Sequence, residues 1–248
     1  MHLFRPLLLL IAFLSPAMAA DGPGLAARAS DAVSQLQTYL DGVAKAGGRP
    51  DFSAPPAMDL LARIVDLKQL AALPPPTAQD LGWLIAWNGA ATRTLKSLMY
   101  FGITPPPGPA DAEAIERNMA GFEDPQAALA ELLIRVTARQ RLATYLYMKA
   151  LPPDQLTPMR QEGFNTARIG AEKLVDGALT MLMSAMKPEN ERRISAALND
   201  TREIWAGDVL PKDRPALLRE IAEAGRDVTD AEARKDLAAF GAALAAAP

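Results

Sequence analysis

The chain has no cysteine, and its single histidine is His2. The absence of cysteine excludes disulfide bonds, thiolate metal sites, cysteine nucleophiles and lipid attachment at an N-terminal cysteine. With histidine confined to position 2, the rest of the chain cannot form a Ser-His-Asp triad, an HExxH zinc site or a histidine-ligated di-iron site. We therefore expect no catalytic residues of these kinds, no cofactor and no enzymatic activity.

Aromatic residues are also scarce, at 6 % of the chain, and basic residues form no long run. The net charge is −3, so nucleic acids and anionic lipids are poor candidate partners. Phosphate-binding loops of the GxxxxGK[ST] and GxGxxG types are missing as well. The composition is that of a globular protein with a core of alanine, leucine, isoleucine, valine and methionine.

One apolar run stands out, LLLLIAFL, at residues 7–14. Arg5 precedes it, and the small-x-small pattern Ala17-Met18-Ala19 follows it, as in a secretory signal peptide. The run is shorter than the roughly 20 apolar residues of a spanning helix. We predict a signal peptide over residues 1–19, cleaved near Ala19 or Ala20, and no stable membrane insertion afterwards. The Ala-, Arg- and Pro-rich composition favours a bacterial protein that is periplasmic or secreted.

Beyond this segment, apolar residues recur with the helical period and no alternating strand pattern is convincing. The sequence predicts an all-α fold of antiparallel helical bundles, with proline-rich turns between the helices. We expect an N-terminal helical hairpin over residues 20–76, a helical bundle over 77–207 and a C-terminal helical hairpin over 208–248.

Three local patterns predict where helices begin. Thr77 with Asp80 forms a capping-box pattern, and Asp124-Pro125 and Thr157-Pro158 each pair a capping residue with a proline suited to the first helical position.

Gly163, Gly170 and Gly177 recur at seven-residue intervals in the predicted helix after Pro158. Because glycine is unfavourable inside a helix by about 1 kcal/mol, three on one face need a reason. Close approach of another helix is the favoured interpretation. The alternative is space for a ligand over that face.

Met181, Met183 and Met186 form the pattern M-x-M-x-x-M near the end of the same predicted helix. Thioethers are soft ligands that can bind Cu(I). However, Met181 and Met183 would lie on different faces of a helix, and methionine is a common core residue. Core packing is therefore favoured, and a copper site is the alternative.

Polar residues interrupt two of the apolar helical patterns. Asn88 replaces an expected core residue in one helix and Gln140 does so in another, and Arg93, Arg139 and Arg141 lie nearby. From residue types alone, solvated arginines and amides that set the helix register are favoured. The alternative is a polar layer in which guanidinium groups bind a small anion through forked donors.

The run TARQRLATYLYMKAL at residues 137–151 resembles the first-helix signature of the type IV pili chemotaxis-transducer N-terminal (PilJ-like) sensing domains. Ala138, Arg139, Gln140, Arg141 and Leu142 match the Ala-Gly-Arg-Gln-Arg-Met-Leu-type run of that family. WNGAATRTLKSLMYFGI at residues 87–103 is a weaker echo, which suggests an imperfect tandem within the predicted bundle.

This resemblance implies a helical sensing domain in which an arginine of the first helix binds an anion between paired helices. Arg141 would be the leading ligand, Arg139 and Gln140 its neighbours, and Arg93 with Asn88 the pseudo-symmetric counterparts.

The leading functional expectation is a soluble periplasmic helical-bundle protein that binds a small ligand, with an oxyanion as the first candidate. It would act in a sensing or accessory role beside an envelope or membrane signalling protein. The alternative is a non-catalytic envelope adapter that binds another protein through a bundle face. Cu(I) handling by the methionines is the third candidate.

Overall fold

The computed structural model of the protein describes residues 21–104 and 106–247. Within these ranges every regular element is a helix and no strand occurs, which confirms the predicted all-α fold. No helix in this part of the chain is both long and apolar enough to cross a membrane. The predicted signal peptide, residues 1–19, lies outside the described residues.

The α-helices follow one another through short connections, and 3-10 turns precede α4, α5 and α7. Their bounds are α1 (Gly22–Lys45), α2 (Ala57–Ile64), α3 (Leu67–Ala72), α4 (Leu81–Met99), α5 (Ala112–Gly121), α6 (Glu123–Ala150), α7 (Pro158–Leu182), α8 (Pro188–Asp200), α9 (Arg202–Asp208), α10 (Arg214–Asp227) and α11 (Ala231–Ala246).

Two of the three predicted helix starts are confirmed. Thr77 and Asp80 form a capping box, although it opens a 3-10 turn that leads into α4. The Thr157 side chain accepts a hydrogen bond from the Arg160 backbone N–H, and Pro158 is the first residue of α7.

The predicted start at Asp124 is wrong, because α6 begins one residue earlier, at Glu123. The Asp124 carboxylate binds elsewhere: it accepts hydrogen bonds from Lys187 Nζ and Asn190 Nδ2. These contacts tie the start of α6 to the start of α8.

Buried side chains form two hydrophobic cores. The first core lies among α1, α2, α3, α4 and α6, and its largest buried members include Leu36, Leu84 and Trp87. The second lies among α6 to α11, with Trp205 and Phe240 at its centre. Residues of the predicted N-terminal hairpin therefore pack in the first core, and those of the predicted C-terminal hairpin pack in the second.

Helix α6 belongs to both cores. Leu129, Leu132 and Val136 face the first core, whereas Ala130 and Ile134 face the second. A helix with apolar residues on opposite sides is stable only when both sides are covered, so α6 needs partners from both halves of the chain.

In the first core, α4 runs antiparallel to α6 and parallel to α1. Asn88 of α4 binds Thr137 of α6, and Asn118, just before α6, binds the Met99 carbonyl at the end of α4. These contacts make α4 and α6 antiparallel. Gln37 of α1 binds Ser97 late in α4, and Gly22 lies against Trp83 early in α4, so α1 and α4 run parallel.

The glycines of α7 do not mark a close helix contact. A Cβ placed on Gly163, Gly170 or Gly177 would meet no neighbouring atom within 4 Å, and all three residues are exposed. The favoured interpretation of this pattern was therefore wrong.

Candidate functional site

Arg139, Gln140 and Arg141 are consecutive residues of α6, and they point in different directions because successive residues are about 100° apart around a helix. Arg141 points toward α7 and α9, while Arg139 lines a cleft beside α3. Each of the three side chains has one buried polar atom without a hydrogen-bond partner among the described residues: Arg139 Nε, Gln140 Oε1 and Arg141 Nη1.

Arg141 forms a buried ion pair within the protein. Its Nε donates to Asp208 Oδ2 at 2.7 Å and its Nη2 donates to Asp208 Oδ1 at 2.6 Å. The guanidinium also lies over the Phe164 ring, 4.6 Å from its centroid, and the Arg141 side chain is only 2 % exposed. The forked donor pair that was expected to bind a ligand anion thus binds a carboxylate of α9.

The structure does not bring Arg93 and Arg141 together. Arg93 is exposed on α4. Because α4 and α6 are antiparallel and Asn88 lies opposite Thr137, Arg93 is level with the region near Leu132. That region is roughly 13 Å from Arg141 along the α6 axis, at 1.5 Å per residue.

Asn88 forms a contact between two helices, and Gln140 forms one within its own helix. Asn88 Nδ2 donates to Thr137 Oγ1 at 2.6 Å, a contact that fixes the register of α4 against α6. The backbone carbonyl of Gln140 accepts from Thr144 Oγ1 at 2.7 Å.

Arg139 lines a cleft of about 530 Å³ between α3, α6 and the junction of α8 with α9. Its Nη2 donates to the Pro74 carbonyl, while its Nε is buried without an acceptor. Burial lowers the pKa of Arg139, and the nearby Asp80 carboxylate partly opposes this shift. Arg139 is therefore a half-buried cation whose charge is incompletely compensated.

Asp80, whose charge acts on Arg139, is bound to other groups. Its carboxylate accepts from the Thr77 N–H at 2.7 Å and from the Trp83 indole at 2.8 Å. Burial opposes ionisation of Asp80, but these hydrogen bonds and the charge of Arg139 hold its pKa below the usual range. Asp80 attracts Arg139 without forming an ion pair with it.

A second arginine, Arg135, lines the same cleft. Arg135 binds Glu131 at 3.2 Å and Asp200 at 2.9 Å, and Arg193 approaches Glu131 at 3.6 Å. Burial raises the pKa of Glu131, although Arg135 and Arg193 oppose this shift. Arg135 is thus neutralised by protein carboxylates, in contrast to Arg139.

Apolar side chains complete the cleft. They come from four parts of the chain: Leu67, Leu70 and Ala71 of α3, Pro76 of the following connection, Ala138 and Leu142 of α6, and Ile204 of α9.

The three methionines of the M-x-M-x-x-M pattern do not all line the same pocket. Met181 and Met186 line a small pocket together with Met119 of α5, whereas Met183 does not line it. Met181, Met183 and Met186 all pack against the second core, which agrees with the favoured interpretation of the pattern.

The sequence did not reveal the distant residues that contact Arg141 or share a pocket with Met181. Asp208 lies 67 residues after Arg141, and Met119 lies in a different helix from Met181. Nothing in the sequence indicated that Phe164 lies against Arg141. No local pattern signals such contacts, because they depend on how α5, α7 and α9 fold back on α6.

Comparisons with protein-family models, with curated proteins and with solved structures found no match for this chain. The resemblance to PilJ-like sensing domains therefore stays a prediction.

Proposed function

We propose that the protein is a periplasmic ligand-binding protein that holds a small organic anion in the cleft beside Arg139, in a sensing or accessory role. One observation carries the proposal: the half-buried Arg139 guanidinium lines the cleft and has no paired carboxylate among the described residues. Guanidinium groups bind planar carboxylates and oxyanions through their forked donors.

The lining of the cleft favours one class of ligand. Its volume, about 530 Å³, suits a small molecule. Arg135 binds both Glu131 and Asp200, whereas Arg139 forms no ion pair among the described residues. The apolar side chains around them favour a ligand with an aliphatic part. A monocarboxylate with a short aliphatic chain fits better than a bare, highly charged anion.

Isothermal calorimetry and thermal unfolding with hexanoate, acetate and nitrate would test this proposal. We expect hexanoate to bind more tightly than acetate or nitrate and to raise the Tm of the wild type. Arg139→Gln should abolish the rise. Arg93→Gln is the matched control, because it removes the same charge from an exposed position of α4. An equal response of Arg139→Gln and wild type would refute the proposal.

The periplasmic location has its own test. A native mass spectrum of the protein recovered from a bacterial periplasm should give the mass of a chain cut after Ala19 or Ala20. Retention of residues 1–19 would contradict the predicted signal peptide.

An adapter role is the second candidate, and exposed apolar residues favour it. They lie on the hairpin formed by the end of α6 and the first half of α7: Tyr145, Tyr147, Leu156, Met159 and Ile169. Met159 is 82 % exposed. A photo-crosslinking residue at position 159 should capture one discrete envelope protein, and the same residue at exposed Glu113 of α5 should not. Equal crosslinking from both positions would argue against this role.

A further inference from the structure

A small pocket lies between α5, the start of α6 and the end of α7, away from the Arg139 cleft. It measures about 240 Å³, and three methionines line it: Met119, Met181 and Met186. All three side chains are half-buried, so they are accessible from the pocket. Three methionines, one from α5 and two from the end of α7 and the turn after it, therefore line one cavity.

The end of α7 explains how Met181 and Met186 reach the same pocket. A regular helix would direct these side chains differently, but α7 ends at Leu182. Met186 lies beyond that end, in the turn before α8, where the chain is free of helical spacing. Met181, Met183 and Met186 all pack partly against the second core, but Met183 does not line the pocket, where Met119 joins the other two.

We propose that Met119, Met181 and Met186 form a soft-metal site that binds Cu(I). Thioether sulfur is a soft, uncharged donor that favours Cu(I) over hard or borderline cations such as Mg²⁺ and Zn²⁺. The chain has no cysteine, and its one histidine is His2. Thioethers are thus the softest donors that this protein offers to a metal.

Carboxylates beside the pocket supply the negative charge that a bound cation needs. Glu123 lines the pocket, and its Oε1 is held by the Lys187 N–H at 2.7 Å and by Asn190 Nδ2 at 2.8 Å. Glu116 also lines the pocket. The Lys187 ammonium binds Asp124 at 2.7 Å, so its charge is neutralised by another acid.

This inference does not depend on the proposed function. The Arg139 cleft and the methionine pocket share no lining residue, and they would bind ions of opposite charge. Loss of one activity in a variant therefore leaves the other as an internal control.

Competition with a chromophoric Cu(I) chelator under ascorbate would test the site in the mature chain. We expect one Cu(I) per chain, with affinity at least roughly tenfold weaker in Met119→Leu and Met186→Leu, as for disrupted metal sites in general. Leucine conserves the volume of methionine, so these variants should fold. Met183→Leu and Met159→Leu are the controls and should bind as the wild type does.

Methyl NMR of methionine-labelled wild-type protein gives a second readout that needs no variant at the site. Ag(I), a redox-stable analogue of Cu(I), should shift the methyl signals of Met119, Met181 and Met186 and leave those of Met159 and Met183 in place. The proposal is overturned if the wild type retains no Cu(I), if the site variants bind as the wild type does, or if Ag(I) shifts all methionine methyls alike.

Discussion

The Arg141 guanidinium donates two hydrogen bonds to the Asp208 carboxylate, with Nε–Oδ2 and Nη2–Oδ1 distances of 2.7 and 2.6 Å. The pair joins the middle of α6 to the last residue of α9. Its geometry is the one by which arginine binds a ligand carboxylate. In this protein the carboxylate belongs to the chain itself, so Arg141 stabilises the contact between α6 and α9.

We expect Asp208→Ala to lower the free energy of unfolding by about 3 kcal/mol, because it leaves the buried Arg141 guanidinium without its counter-charge. Urea denaturation would measure the change. The double variant Arg141→Met with Asp208→Leu should recover most of the loss, since no buried charge remains. Asp227→Ala, at an exposed position late in α10, is the control and should be near neutral. A mild effect of Asp208→Ala would mean that Arg141 finds another partner.

The pH dependence of stability should report on Glu131. Burial raises its pKa above the ordinary glutamate value of about 4.5, so the folded protein binds this proton more tightly than the unfolded chain does. The stabilisation is fully present below that pH and is lost as the pH rises through the folded-state pKa. The unfolding free energy of the wild type should therefore fall relative to that of Glu131→Gln as the pH rises above the ordinary glutamate value.

Asp124 provides a control of opposite sign for that measurement. Hydrogen bonds from Lys187 and Asn190 lower its pKa, so its contribution to stability is present above the ordinary aspartate value and is lost as the pH falls. The wild type should lose stability relative to Asp124→Asn on acidification. Parallel pH profiles for the two variants would contradict both assignments.

The glycines of α7 offer a stabilising substitution. Gly170→Ala should raise the free energy of unfolding by about 0.5–1 kcal/mol, because the added Cβ meets no neighbour and alanine restricts the unfolded chain. Gly22→Ala in α1 should have the opposite sign, since its Cβ would lie 2.5 Å from a Trp83 ring carbon. Thermal unfolding of both variants checks the pair. Destabilisation by Gly170→Ala would indicate that another chain covers this face in solution.

Substitution of Glu191 in α8 should lower the free energy of unfolding more than substitution of an exposed carboxylate. It is 2 % exposed, and it accepts hydrogen bonds from the backbone N–H groups of Thr229 and Asp230 before α11. Glu191→Ala would leave these donors unpaired, and we expect it to cost about 2 kcal/mol in urea denaturation. Glu189→Ala, on the exposed side of the same helix, should change stability little. Similar values for the two variants would mean that water replaces the Glu191 contacts.

The all-α class could be predicted because helical periodicity is a local property of the sequence. The course of α6 could not. Its apolar residues, such as Leu132 and Ile134, cover opposite sides of the helix, so the sequence does not reveal which later helices pack on each side.

The arginines illustrate the same limit at the candidate site. Arg93, Arg139 and Arg141 are alike in residue type, but one is exposed, one is half-buried in a cleft and one is paired inside the protein. Distant residues decide these roles, and periodicity does not identify them. The sequence did not connect Met119 with Met181 and Met186 for the same reason, since Met119 lies outside the local methionine pattern.

Because α6 supplies side chains to both cores, the two halves of the molecule share this helix. A fragment that ends at residue 150 would expose the Ala130 and Ile134 side of α6 to water, and a fragment that begins after α6 would lack part of its own core. Neither half can therefore be exchanged or duplicated without carrying a copy of this helix. The chain should melt as one cooperative unit, with Trp87 and Trp205 reporting the same transition from opposite sides of α6.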